Sequence, residues 1–97
     1  ALFIPNNDMA LGALRAIQSR GIRVPDELSV ASFGDMPCFS LFKPALTVIR
    51  QPVYELGLEA ASLLLRRIRR EGPQTHVLLR LAPEFVVGES TAPPWGG

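Results

Sequence analysis

Apolar residues along this chain fall into short, unbroken blocks that alternate with longer stretches of helical period. Ala1 to Pro5 (ALFIP) reads as a short strand covered on both faces. Asn6, Asn7 and Asp8 follow, and their side-chain oxygens suit the first free N–H groups of a helix. That helix runs from Met9 to about Arg20, with Ala10, Leu11, Ala13, Leu14 and Ile17 at helical spacing and Gly21 placed to end it. After a turn at Val24-Pro25-Asp26-Glu27, Leu28 to Phe33 predicts a second strand. Gly34 to Ala45 is a loop, and Leu46 to Arg50 predicts a third strand. A long helix is expected from Val53 to about Glu71, stopped by Gly72-Pro73. Val53, Leu56, Gly57, Ala60, Ala61, Leu64 and Ile68 form its expected buried stripe, which Leu63 and Leu65 widen beyond one face. His76 to Leu81 and Phe85 to Val87 read as two further strands, and residues 91–97 as a frayed tail. The order β-α-β-β-α-β-β, with helices separating strands, predicts an α/β chain with a parallel sheet.

Polar residues sit just past three of these strands: Asn6 and Asp8, then Asp35, then Gln51. In open α/β sheets, ligands bind at the carboxyl ends of the strands, so three such clusters describe a small-molecule pocket. Each has a plainer reading beside it. Asn6 and Asp8 can simply cap the helix. Gly34-Asp35 can be a tight turn, and the Gln51 amide can tie a crossover strand in place.

Composition narrows the function classes. At 97 residues the chain is short for a complete doubly wound sheet, and 47% hydrophobic content excludes disorder. A net charge of +1 points to neither nucleic acid nor membrane through bulk electrostatics. Arg66, Arg67, Arg69 and Arg70 form a basic run near a helix end, where such side chains complement the dipole and stay solvated. The single cysteine, Cys38, rules out an intrachain disulfide and suits a reducing cytosol. No apolar run reaches membrane-spanning length, and the start lacks the basic region of a signal peptide. His76 and Cys38 share no metal-ligand spacing, so no metal is expected, and no phosphate loop or other cofactor motif is present. Ser29, Ser32 and Ser40 lack a nucleophile-elbow context, and nothing identifies a proton for Asp8 and Asp35 to move. Catalysis is not expected.

The loop after the second strand carries Cys38, Phe39, Leu41 and Phe42. With Leu11 on the first helix these residues fit either a core or an interface. The amount of apolar side chain in a loop favours an interface.

Three segments together carry a family resemblance: NNDMALGALRAIQSRGIRVPDELSVASFGD, PALTVIRQPVYELGLEAASLLLRRI and APEFVVGESTAPP. In order and spacing they resemble the C-terminal portion of the effector-binding core of LacI/GalR-family bacterial transcriptional repressors. That resemblance implies part of a type I periplasmic-binding-protein-like, doubly wound parallel sheet. It further implies a cytoplasmic homodimer that binds a sugar-like effector and reaches operator DNA through a headpiece absent from these residues. Residues 1–50 would belong to the C-terminal subdomain. Residues 51–80 would be a crossover and a helix packing on the N-terminal subdomain, residues 81–90 returning strands, and residues 91–97 the tail. Residue by residue, the resemblance makes Asn6, Asp8, Gln51, Val53 and Leu56 effector contacts. Many members have an aspartate where this chain has Gly34, so Asp35 or Asp8 would replace that carboxylate, or the effector would be acidic, such as a sugar acid. Dimer contacts would come from Leu11, Arg15, Cys38, Leu41 and Phe42. The alternatives are an extracytoplasmic sugar-binding protein of a transporter, which shares the fold, and a small α/β enzyme.

Overall fold

The computed structural model describes residues 1–72 and 74–94. The chain divides into two compact units, Ala1–Gln51 with Glu84–Gly97, and Pro52–Pro83.

The first unit is built on strands β1 (Leu2–Ile4), β2 (Val30–Phe33), β3 (Thr47–Arg50) and β4 (Glu84–Val86), in the spatial order β1-β2-β3-β4. The first three run parallel, pairing Ile4 with Ser32 and Ser32 with Val48. Gly34 N–H prolongs the ladder to the Ile49 carbonyl at 2.8 Å. β4 runs antiparallel to β3, pairing Val86 with Val48 and Glu84 with Arg50. The sheet is therefore an open, mixed α/β sheet with an antiparallel edge, an addition that parallel sheets often carry.

Helix α1 (Asn7–Ser19) starts where Asn6 caps it: the Asn6 side-chain oxygen accepts from Met9 N–H at 2.9 Å. It ends at Gly21, whose φ of 64° is costly for any residue with a Cβ. There Ile22 N–H reaches the Ile17 carbonyl and Gly21 N–H the Gln18 carbonyl, the paired bonds of a Schellman motif. Ala10, Leu14 and Ile17 pack into one core with Ile4, Val30 and Val48 of the sheet. In the turn leading to β2, Arg23 Nε donates to Glu27 Oε1 at 3.0 Å, and that bond holds the Glu27 carboxyl below its usual range. Only one sheet face receives this cover. Phe3, expected to be covered like the rest of β1, is 57% exposed, and Phe85 and Val87 are exposed as well.

The loop after β2 departs most from expectation. Pro37–Leu41 forms a 3-10 helix, in which residues three apart point the same way. Phe39 lies in this helix and Phe42 follows it as the extended C-cap residue, and both are buried in the core. Phe42, expected at an interface, is thus chiefly a core residue at 8% exposure, whereas Leu41 is 84% exposed.

The last residues described are tied down rather than frayed. Ser90 is fully buried; its hydroxyl donates to the Val30 carbonyl at 2.5 Å and accepts from Thr47 N–H at 2.8 Å. Val30 N–H returns a bond to the Ser90 carbonyl at 2.9 Å, and Ala92 N–H donates to Ser29 Oγ at 3.0 Å. Gly88 makes this approach feasible, because a Cβ there would collide with the Ala45 carbonyl and lie 2.6 Å from that of Leu46. Residues 95–97 of the expected tail lie outside the described residues.

The second unit contains helix α2 (Val53–Ile68). It ends three residues before Glu71, because Arg70 adopts a φ of 56° and closes a second Schellman motif: Glu71 N–H bonds the Arg66 carbonyl and Arg70 N–H that of Arg67. Gly72 follows at positive φ, and Pro73, the other half of the expected stop, lies outside the described residues. No α2 residue is buried: Val53, Leu56, Leu64 and Ile68 of the expected stripe are exposed. His76 to Leu81 is not a strand. Among the described residues this unit holds no strand for it to pair with, and an unpaired strand leaves its backbone bonds unmade.

Two substitutions separate the core from the clasp. Ser90→Ala leaves the Thr47 N–H and one Val30 lone pair without partners and is expected to cost about 2–3 kcal/mol. Phe42→Ala, which opens the core, is expected to cost about 3–5 kcal/mol. Urea unfolding of both variants checks these values; a Phe42→Ala loss below about 1 kcal/mol would contradict the core placement.

Candidate functional site

Because β1, β2 and β3 run in one direction, the residues that follow them emerge on one rim of the first unit. Asn6 and Asp8 follow β1, Asp35 follows β2 and Gln51 follows β3. The four polar residues picked out from the sequence are therefore brought to a common sheet edge. Asn6 spends its oxygen on the helix cap, and its amide nitrogen lies 3.1 Å from Met9 Sδ. Asp8 is exposed in the first turn of α1, where a negative charge complements the helix dipole. Gln51 is half-buried.

Asp35 is held. Arg50 Nε donates to Asp35 Oδ2 at 3.0 Å, and Arg50 Nη1 lies 3.6 Å from Glu84 Oε2. Arg50 is the last residue of β3 and Glu84 its ladder partner on β4, so the register itself brings these charges together. All three side chains are partly solvated, which limits each pair to about 0–1 kcal/mol of stability. Their role is to fix direction: one guanidinium serves two carboxylates, Asp35 and Glu84, and with Asp8 the rim's named side chains set three acids against one base. Arg50 was not singled out from the sequence, where nothing shows which strands are neighbours.

From the Asp35–Arg50 pair a groove of about 580 Å³ runs along the sheet, walled by Phe39, Phe42, Leu46, Val48 and Val86. Of the expected effector contacts only Asp35 lines it. Val53 and Leu56 belong to the second unit, where both are exposed.

The five expected dimer contacts do converge. Leu11, Arg15, Cys38, Leu41 and Phe42 all line one shallow groove of about 200 Å³, together with Leu14, Gln18 and Phe39. Its floor is the core edge of Phe39 and Phe42, and its raised sides are the exposed Leu11 and Leu41.

Gly34 occupies a strained corner of the rim. Its φ is 112°, and a Cβ built on it would lie 2.5 Å from Asn7 Oδ1. A carboxylate-bearing residue at position 34 therefore meets both a backbone penalty and an occupied space. Among the described residues, no group of three or more His, Cys, Asp or Glu is placed to hold a metal ion. No helix among them is long and apolar enough to cross a membrane.

A family model described as a periplasmic binding protein-like domain matches residues 1–91. The HTH-type transcriptional repressor PurR of Histophilus somni is 39% identical over 90 residues, covering 93% of this chain and 27% of that protein. The chain thus spans about a quarter of the length of the curated relatives it matches. Among solved structures, a LacI-family transcriptional regulator from Enterococcus faecium with bound ribose superposes with a TM-score of 0.80 at 34% identity, covering 95% of this chain and 34% of that one. The transcription regulator CcpA of Lactococcus lactis superposes with a TM-score of 0.82 at 29% identity, covering 93% of this chain and 33% of that one. The chain belongs to the periplasmic binding protein-like domain family, and its sequence and fold are those of part of the effector-binding core of LacI-family regulators.

Proposed function

We propose that this chain is the effector-binding and dimerising portion of a cytoplasmic transcriptional repressor that acts on operator DNA through a separate headpiece. The reading rests on the common rim formed by Asn6, Asp8, Asp35 and Gln51 at three parallel strand ends. Polar groups that both donate and accept, with an ion pair neutralising the one carboxylate among them that is held, suit a small polyhydroxylated ligand. The ribose bound by the Enterococcus faecium regulator supports that class. Val53 and Leu56, which follow Gln51 closely in the chain, are added as effector contacts. Binding would shift the balance between two arrangements of the full protein, and so its fit to DNA.

The absence of a carboxylate side chain at Gly34, together with the pairing of Asp35 to Arg50, favours a sugar acid over a neutral sugar, since a ligand carboxylate meets one negative group fewer at that point of the rim. Residues 1–50 would form most of one subdomain. The exposed apolar residues of α2 would be covered by the other subdomain of the complete regulator. The reading is of a binding protein, not of an enzyme.

Thermal-shift screening of the full-length regulator against sugars, sugar acids and nucleobases tests the effector class, because a ligand that binds the native state raises the melting temperature. A gluconate-type hit that Gln51→Ala weakens is expected; binding of a neutral sugar with no acid binding would overturn the acid assignment. Dimerisation has its own test. Leu41→Asp places a charge on the shallow groove without touching the core and is expected to raise the dimer dissociation constant at least tenfold by sedimentation. An unchanged constant would remove that groove from the interface.

A further inference from the structure

We propose that Asn7 is a specificity-determining residue of the effector site, supplying through its carboxamide oxygen a neutral acceptor for a ligand hydroxyl or N–H. The inference rests on the effector-site reading above and names a residue which that reading does not use.

Asn7 Oδ1 is buried, and no donor among the described residues reaches it. An acceptor left in that state costs free energy, so native structures seldom keep one unless another molecule completes it. A second orphan, the Oγ of fully buried Ser32, lies two residues before Gly34 on the neighbouring strand. The first unit therefore holds two buried polar atoms that the fold itself does not satisfy, one after β1 and one within β2. Asn7 is not needed as the helix cap, because Asn6 performs that task.

The contact with Gly34 explains the placement. The carboxamide occupies the space into which a side chain at position 34 would grow, with Oδ1 2.5 Å, Cγ 3.3 Å and Nδ2 3.7 Å from the Cβ site. Position 34 therefore presents backbone only, and the polar group at that point of the rim comes from α1. The residue as a whole is half-buried, and serving a ligand requires the carboxamide to turn its oxygen toward the rim. An amide oxygen recognises a donor without adding charge. It would serve the hydroxyls of a sugar acid as well as those of a neutral sugar, whereas a carboxylate at the same point would repel the acid.

The test uses the full-length regulator with D-ribose, D-gluconate and adenine as probes, measured by titration calorimetry. Asn7→Ala is expected to weaken the tightest probe roughly tenfold, while the melting temperature of the free protein stays level or rises because an orphaned acceptor is removed. A purely structural Asn7 would do the reverse, lowering the melting temperature and leaving affinity unchanged. If Asn7→Ala lowers both, the near-isosteric Asn7→Asp decides. It is expected to hold or tighten D-ribose and adenine through a charge-assisted bond and to weaken D-gluconate; weakening of D-ribose and adenine would show that the ligand meets a donor and would overturn the proposal. Gln51→Ala separates the two levels. Weakening by Gln51→Ala with no effect of Asn7→Ala removes Asn7 and leaves the effector site standing. No effect of either, or no binding of any probe, overturns both.

Discussion

Two parallel backbone ladders, β1 on β2 and β2 on β3, hold three strand ends level, and the chemistry of the rim depends on them. Were β2 reversed, Asp35 would stand at the opposite edge from Asn6 and Gln51. Were β3 to slip by one residue, Val48 and Arg50 would pass to the other face, and the guanidinium would leave Asp35. The register is held from both ends. On one face Ile4, Val30 and Val48 are pinned by α1 and by Phe39 and Phe42, within and just after the 3-10 helix. Below, Ser90 bridges β2 and β3 by bonding Val30 and Thr47 at once. A serine sixty residues along the chain from Val30 thus helps set the positions of side chains at the other end of the strands.

Much of this was readable from the residues alone. Unbroken apolar blocks and helical stripes locate every strand of the first unit and both helices to within a few residues, and Gly21 marks a helix end. The misses have two causes: some depend on a neighbour that sequence does not display, and others on local geometry too short or too unusual to leave a pattern. Phe39 and Phe42 looked like loop residues in search of a partner because a five-residue 3-10 helix is too short to show a period. His76 to Leu81 has strand composition but finds no strand to pair with in its own unit. Arg70 ends α2 early by taking a conformation for which glycine is the usual choice. Arg50 and Asn7 approach Asp35 and Gly34, the residues that follow β2, and no pattern along one segment reports those contacts.

The chemistry that results relies on direction more than on charge. Asp35 is balanced by Arg50, Asn6 is spent on its helix, and Gly34 offers only backbone. Under the proposed function, a ligand would meet the Gln51 amide, the Arg50-held Asp35 and the exposed Asp8, polar groups able to distinguish one arrangement of hydroxyls from another. In a regulator this is useful, because selectivity among chemically similar metabolites must come from unmade hydrogen bonds in the wrong complex.

Hydrogen exchange on the full-length regulator, with and without saturating effector, tests the shared rim most directly. Ligand protection should appear together in the three segments that follow β1, β2 and β3, around Asn6 to Met9, Gly34 to Met36 and Gln51. Protection confined to one of them, or appearing only along Pro37 to Phe42, would show that the strand ends do not form a common site.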